Sequence, residues 1–572
     1  MKNQTEIHGD NTIYKEVVVI GNGPSGIIVS LMLSGRLPII NSNEHPDEML
    51  TNRLKTIKSP NLIQQDLAFL AQGLEGRSTN PVSLLMDALL HPCADLGLDL
   101  EPLLNFQSVG KEIDHVVLGR GPPGGSWHRI DPDVLTLSLG SWMALPGKPF
   151  PACTSNEKRA FARDVASYYE NYVREMGLDE YFVNEILVNS VIDLSNNETQ
   201  EPVKRRDLWT KKFNREMSRV IDYFVPDDSG NKHCLFSNTL NCLLSRNQKR
   251  GRLCKRSRNF QAKSDNILAP KHEKKKTSCC CPCSGEMNLQ KQSTKPFIHT
   301  QTMTNPFIES FNSPTHESKT PKWLIQATDL CTGQTKTYTC KYLVLACGTY
   351  DSPNRLEIFK SEVDPEWLVH DLRNLEKQLD QKIKKDEAAD PVMIVGAGLS
   401  AADAVMAVRT RNIPVIHVFR GSNSEFTRQL PENMYPEYHK VRQMMHDGGS
   451  TYPLYTAFPE YSITDFDSVT QLVVLESKTG KEIKVKVSFA AVLIGSKPNL
   501  SFLPGKMQLG VYPDKEIDSK TNPLNINPIT HEVIGQENLY AIGPLAGDNF
   551  VRYTPGGAVA VVSELYKKLE IN

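Results

Sequence analysis

The stretch Val17-Val18-Val19-Ile20-Gly21-Asn22-Gly23-Pro24-Ser25-Gly26-Ile27-Ile28-Val29-Ser30-Leu31-Met32 decides how this chain is read. Four β-branched residues predict a buried strand, the glycine spacing predicts a tight turn, and the apolar run after it predicts a helix. The same grammar returns about 375 residues later. There Val392-Met393-Ile394-Val395 leads into Gly396-Ala397-Gly398-Leu399-Ser400-Ala401 and then Ala402-Asp403-Ala404-Val405. In a turn of this kind the first glycine makes the bend and the second lets a pyrophosphate approach the backbone. The third small residue lets helix and strand pack closely, and the helix start offers free N–H groups with roughly half a positive charge.

One such turn is a weak signal, whereas two with correct flanks point to an α/β chain with two Rossmann-type dinucleotide-binding domains. The pairing predicts FAD at one turn and NADPH at the other, with electrons passing between them. The second cofactor is read from Val415-Ile416-His417-Val418-Phe419-Arg420, a strand that ends in arginine rather than an acid. An acid there selects the free ribose hydroxyl of NAD, while a guanidinium pairs a 2′-phosphate through two hydrogen bonds. Gly396, Gly398, Ser400 and Ala401 are accordingly placed at the NADPH pyrophosphate and Arg420 at its 2′-phosphate.

Composition bounds the rest. The chain has 572 residues, enough for several domains, and 65 basic against 66 acidic side chains. A net charge of −1 offers no global attraction for nucleic acid or an anionic membrane. The first residues lack an apolar signal core and no run nears 18 apolar residues, so the expectation is an intracellular, cytoplasmic protein without a transmembrane segment. Twelve cysteines are scattered, which favours reduced thiols over a disulfide framework.

Along the chain, residues 15–195 read as the first part of an FAD-binding domain with a helical insertion at 45–114. Residues 196–320 read as a disordered insertion rich in basic residues and cysteine, too polar to offset its ordering entropy. Residues 321–388 return to the FAD domain, 389–484 form the NADPH domain, and 485–572 complete the FAD domain. Lys249–Arg258 and Lys271–Lys276 carry the pattern of a nuclear import signal, and the insertion as a whole is a place for protein partners. Cys279, Cys280, Cys281 and Cys283 lack the spaced second pair of a structural zinc site, so no metal is expected.

The order of motifs is specific. After the first turn come Gly124-Gly125-Ser126-Trp127, the strand end Ala346-Cys347-Gly348, the second turn, the strand end Ile494-Gly495, and a Gly/Asp loop entering the last helix. This order resembles the flavin-containing monooxygenases and their relatives. More closely, Leu135-Thr136-Leu137-Ser138, Trp142-Met143-Ala144-Leu145-Pro146 and Asp548-Asn549-Phe550-Val551-Arg552 resemble the oxidative-stress-induced growth inhibitor family, most of all its second-type branch, which carries a basic insert. The resemblance spans about 15–191 and 321–569. It implies that Gly21, Gly23, Ser25 and Gly26 hold the FAD pyrophosphate, that Gly124, Gly125 and Trp127 line the flavin, and that Asp548 approaches its ribityl–phosphate portion. It also implies an NADPH-consuming monooxygenase, with O2 as co-substrate, tied to growth and death under oxidative stress. The oxygen acceptor, a small molecule or a nucleophilic side chain, is not legible, and no protein acid or base is nominated.

Three departures keep rival readings open. The acid that relatives place after the second strand of the first domain falls on Gly119, since His115-Val116-Val117-Leu118 precedes the Gly-Gly-x-Trp run. Counting about twenty residues past the first turn instead reaches Glu44, but Ile40-Asn41-Ser42-Asn43 is a poor strand end. Without that acid FAD is expected to be held weakly. The Phe-x-Gly-x-x-x-His signature is not met around Phe359, and Leu137-Ser138 stands where some relatives have Thr-Asn. The alternatives are an uncoupled NADPH oxidase that releases H2O2 and a growth-regulatory protein of little turnover. A disulfide reductase is set aside because no close cysteine pair follows the first turn.

Overall fold

The computed structural model describes residues 12–98, 100–151, 159–195, 320–356, 358, 365–384, 390–422, 432–467, 469–505 and 507–571. These residues belong to a single compact unit. Apart from residue 320, the 196–320 insertion with its basic runs and cysteine cluster lies outside the described residues, as does Phe359.

From the N-terminus the chain runs through β1 (Thr12–Ile20), α1 (Pro24–Leu33), β2 (Arg36–Ile40), α2 (Glu48–Leu54), α3 (Leu67–Ala71) and α4 (Pro81–Leu90). Then follow β3 (Leu104–Ser108), β4 (His115–Leu118), β5 (Leu135–Leu139), β6 (Arg159–Phe161), α5 (Ala162–Glu175), β7 (Phe182–Val183) and β8 (Ile186–Asp193). After the insertion, β9 (Trp323–Asp329) and β10 (Thr335–Leu345) finish most of the first sheet. Its order is β7-β4-β1-β10-β9-β8. Val17–Ile20 run parallel to both β4 and the C-terminal half of β10, which buries this stretch on both faces and explains its unbroken apolar character. Every residue of α1 from Ser25 to Leu33 is buried as well.

The strand beside β1 is therefore β4, as the sequence context indicates, and the chain between α1 and β4 is an insertion. Within that stretch, Arg36–Ile40 forms a strand that the sequence did not announce. It pairs antiparallel with β3 in a separate ribbon and leaves the parallel sheet alone. Pro38 at its centre has no N–H to give a second neighbour, which suits a ribbon and not a central strand. Glu44 lies exposed beyond that ribbon. The insertion is not an independent lobe. Leu50, Leu54, Leu67, Leu70, Leu85 and Leu89 share one apolar core with Ile27 and Leu31 of α1.

The second half contains β11 (Ser352–Pro353), β12 (Leu368–Val369), α6 (Leu372–Lys384), β13 (Val392–Val395), α7 (Leu399–Thr410), β14 (Val415–Phe419), α8 (Pro436–Asp447) and β15 (Tyr455–Pro459). The strands β16 (Tyr461–Asp467), β17 (Leu472–Ser477) and β18 (Glu482–Lys486) form an antiparallel three-stranded sheet. The chain closes with β19 (Phe489–Val492), β20 (Ser496–Lys497), β21 (Leu539–Ala541) and α9 (Thr554–Lys568). A second, all-parallel sheet has the order β12-β19-β13-β14-β15. β21 returns to the first sheet and pairs with Leu343–Leu345 of β10. The fold is thus two Rossmann-type domains, each with apolar cores on both sheet faces. The two links between them pair as the ribbon β11–β20. No helix among the described residues is long and apolar enough to cross a membrane.

Candidate functional site

The two glycine turns are built alike. Gly21 has φ of +115° and its N–H donates to Leu118 O at 2.8 Å; Gly396 has φ of +129° and its N–H donates to Val418 O at 3.0 Å. A side chain at Gly21 would run into the carbonyl of Ala346, and one at Gly396 into that of Leu493. Each first glycine is thus wedged against the end of a neighbouring strand in a conformation L side chains rarely adopt. The second glycines differ in kind: around a Cβ at Gly23 or Gly398 there is open space to 4 Å. α1 and α7 begin at these residues with no side chain capping their first N–H groups. An uncapped helix start beside open space fits an anion such as a pyrophosphate.

At the third position the turns diverge. A Cβ on Gly26 would strike the Gly21 carbonyl oxygen, whereas Ala401 carries its methyl fully buried. The second turn is braced instead by His417, which sequence reasoning passed over as a strand residue. Its Nε2 donates to Gly396 O at 2.7 Å and its Nδ1 accepts from the Tyr455 hydroxyl at 2.9 Å. A carbonyl can only accept, so the ring is the neutral Nε2–H tautomer. Complete burial agrees, lowering its pKa to about 4.

The Gly-Gly-x-Trp run docks on the first turn. Gly124 and Gly125 have φ of +117° and +60°. Gly124 N–H donates to Asn22 O at 2.9 Å, and a Cβ on Gly125 would stand 3.1 Å from Gly23 Cα. Trp127 is half-buried and meets Tyr169 edge-on at 6.4 Å. Ser25 is buried where Gly543, φ +66°, passes so close that a side chain at 543 would overlap its hydroxyl. Gly21, Gly23, Ser25, Gly26, Gly124 and Gly125 are therefore gathered in one place. Gly396, Gly398, Ser400 and Ala401 form the second group, with Ser400 exposed at the start of α7.

Arg420 stands exposed two residues past Val418 and has no hydrogen-bond or ion-pair partner among the described residues. Arg120 occupies the matching place two residues past Leu118, but it is committed. It pairs with Asp351, whose side chain is 3 % exposed, and Arg129 closes on the same carboxylate at 3.7 Å. The second Asp351 oxygen accepts from Asn499 N at 3.2 Å. This knot ties the Gly-Gly-x-Trp region to both interdomain links.

Asp548 sits in the loop before α9. It is 1 % exposed, and its carboxylate accepts from Ser78 Oγ at 2.5 Å, Asn80 Nδ2 at 2.9 Å and Ser83 Oγ at 2.7 Å. These donors come from the insertion, whose α4 lies so close to α9 that a Cβ on Gly556 would overlap the Ser83 backbone. Asp548 thus fastens the insertion to the loop before α9. His128, beside Trp127, donates from Nε2 to Pro123 O of its own loop at 2.8 Å.

The Tyr435–His439 cluster joins the domains. Arg159 of β6 lies beside Tyr435 and Tyr438, 4.7 and 5.6 Å from the ring centres, and pairs with Glu437 at 2.5 Å. Its Nε donates to Thr136 O at 2.5 Å and its Nη1 to Met434 O at 3.2 Å, while Tyr435 donates to Leu137 O. Asp403, on the second-turn helix beside Tyr438, has its pKa raised to about 6 by burial.

With this geometry in view, the chain was compared with known proteins. The family described as "Pyridine nucleotide-disulphide oxidoreductase" matches residues 329–534. The human oxidative stress-induced growth inhibitor 2 is 35 % identical over 98 % of this chain and 94 % of its own. The human oxidative stress-induced growth inhibitor 1 is 34 % identical over 96 % and 95 %. Among solved structures, the bacillithiol disulfide reductase Bdr from Bacillus cereus aligns at 12 % identity with a TM-score of 0.49, covering 97 % of this chain and 99 % of that one. Cys93, Cys331, Cys340 and Cys347 are free thiols in this structure.

Proposed function

The chain belongs to the oxidative stress-induced growth inhibitor family, and from that premise we propose that it is a flavin-dependent oxidoreductase, specifically an NADPH-consuming monooxygenase that acts in growth control under oxidative stress. One observation carries this reading: two glycine turns of the same construction, each with an uncapped helix start facing open space, stand in one compact unit. Bound FAD would supply hydride acceptance and reaction with O2. The chain's own residues do the rest. The α1 start and Gly23 would receive the FAD pyrophosphate, with Gly124 and Gly125 closing beside it. The α7 start and Gly398 would receive that of NADPH, and the exposed Arg420 would grip the 2′-phosphate. The Arg120–Asp351–Arg129 knot and the Arg159 clamp would hold the two domains in register. The loop that carries Asp548 would approach the ribityl–phosphate portion of FAD, with the carboxylate held by Ser78, Asn80 and Ser83.

Gly119, standing where relatives place the ribose acid, favours a second reading, a growth-regulatory protein of low turnover or an uncoupled oxidase. Stoichiometry in air separates them. NADPH loss that exceeds H2O2 formed, with the gap widening when an oxygen-accepting substrate is added, is the result expected for a monooxygenase. H2O2 equal to NADPH consumed would establish the oxidase, and no NADPH loss with FAD bound would leave the regulator.

A further inference from the structure

The missing ribose acid has a structural cause, and the cause is a side chain. Gly119 follows Leu118, whose carbonyl anchors the first turn, so it occupies the strand-end position where a ribose-binding carboxylate would start. A Cβ at 119 would overlap both Nδ2 and Cγ of Asn22 and stand 2.7 Å from its Oδ1. The amide cannot swing aside. Asn22 is 4 % exposed, and its Nδ2 donates to Gly121 O at 2.6 Å and to Asn184 Oδ1 at 2.9 Å. Its backbone carbonyl is held by Gly124 N–H. Both amide hydrogens are therefore spent within the protein. The Oδ1 accepts nothing among the described residues and is not sealed from solvent, which makes it the atom left to meet a hydroxyl.

Resting on the flavin reading above, we infer that Asn22 is the specificity-determining residue at the adenosine end of the first site. Its amide takes the volume of the absent carboxylate, obliges residue 119 to be glycine, and offers the FAD ribose a neutral acceptor through Oδ1. A neutral acceptor makes a weaker bond to a hydroxyl than an ionised one does. Weak FAD retention, expected from sequence because an acid is missing, is then a property that Asn22 sets.

The test is a double-mutant cycle with two readouts on the full chain. In the apoprotein, Gly119→Ala should lower Tm on its own and do so much less in an Asn22→Ala background, because the overlap is gone. With FAD followed by fluorescence, Asn22→Ala should weaken binding about fivefold, the effect of one ordinary hydrogen bond. Asn22→Ala/Gly119→Glu should bind FAD at least tenfold more tightly than Asn22→Ala, as a carboxylate regains its place. Equal Tm losses from Gly119→Ala in both backgrounds would overturn the steric claim. Unchanged FAD affinity in Asn22→Ala, or no gain in the double variant, would overturn the ribose claim. If the wild-type chain bound no FAD, the flavin reading itself would fall, while the Tm cycle would still decide what Asn22 excludes.

Discussion

Gly26→Ala should give a chain that is less stable and does not bind FAD, whereas Gly23→Ala should fold as the wild type does and lose FAD alone. The contrast follows from where each new methyl goes. In an exposed helix, alanine is favoured over glycine by about 1 kcal/mol, so propensity alone predicts stabilisation at 26. The structure reverses that sign, because the Cβ would meet the Gly21 carbonyl oxygen, a backbone atom fixed by its own turn. Overpacking of this kind costs about 1–3 kcal/mol and, when backbone must move, more. α1 would lift from β1, and the N–H groups at its start would leave the pyrophosphate position. At 23 nothing lies within 4 Å, so the apoprotein has no reason to change. The methyl would instead fill the space through which the diphosphate approaches. Thermal melts of the two apoproteins, with FAD titrations beside them, check both halves. An FAD affinity preserved in Gly23→Ala would remove the first turn from the site.

Arg159→Ala is expected to cost on the order of 3–5 kcal/mol and to slow flavin reduction by NADPH while leaving FAD affinity near wild type. Arg159 is 7 % exposed, and its guanidinium has partners drawn from both domains: the Thr136 and Met434 carbonyls, the Glu437 carboxylate and the rings of Tyr435 and Tyr438. Removing it leaves buried acceptors unsatisfied and a carboxylate only partly open to water, which is the expensive way to break an ion pair. The FAD turn is not touched, so its affinity serves as the internal control. Arg159→Lys should recover little, because an ammonium cannot reproduce the planar fork that donates in three directions beside two phenol rings. Equal reduction rates in wild type and Arg159→Ala would mean that this clamp does not set the distance between the nucleotide sites.

What could be read from sequence was whatever is local. The glycine turns were legible because the strand, the glycines and the helix that need one another are contiguous in the chain. The register of β4 was legible because the Gly-Gly-x-Trp run follows it directly. The partnerships that finish the site join residues far apart in the chain: Arg120 with Asp351 across 231 positions, and Arg159 with Glu437 across 278. No spacing rule announces them. Asn22 was overlooked for another reason, since it sits inside the fingerprint at a position the pattern leaves free. The donors to Asp548, Ser78, Asn80 and Ser83, lie more than 460 positions away in the chain and were likewise not legible. Pro38, finally, shows why β2 stays out of the parallel sheet. A strand can form without joining the sheet that its place in the sequence suggests.

Anaerobic mixing of the FAD-loaded chain with NADPH probes the whole account in one spectrum. The yellow oxidised bands should appear on loading and bleach as NADPH is added, and they should return when air is admitted. A chain that stays colourless in excess FAD, or one that binds FAD and keeps its oxidised spectrum under NADPH, would contradict it.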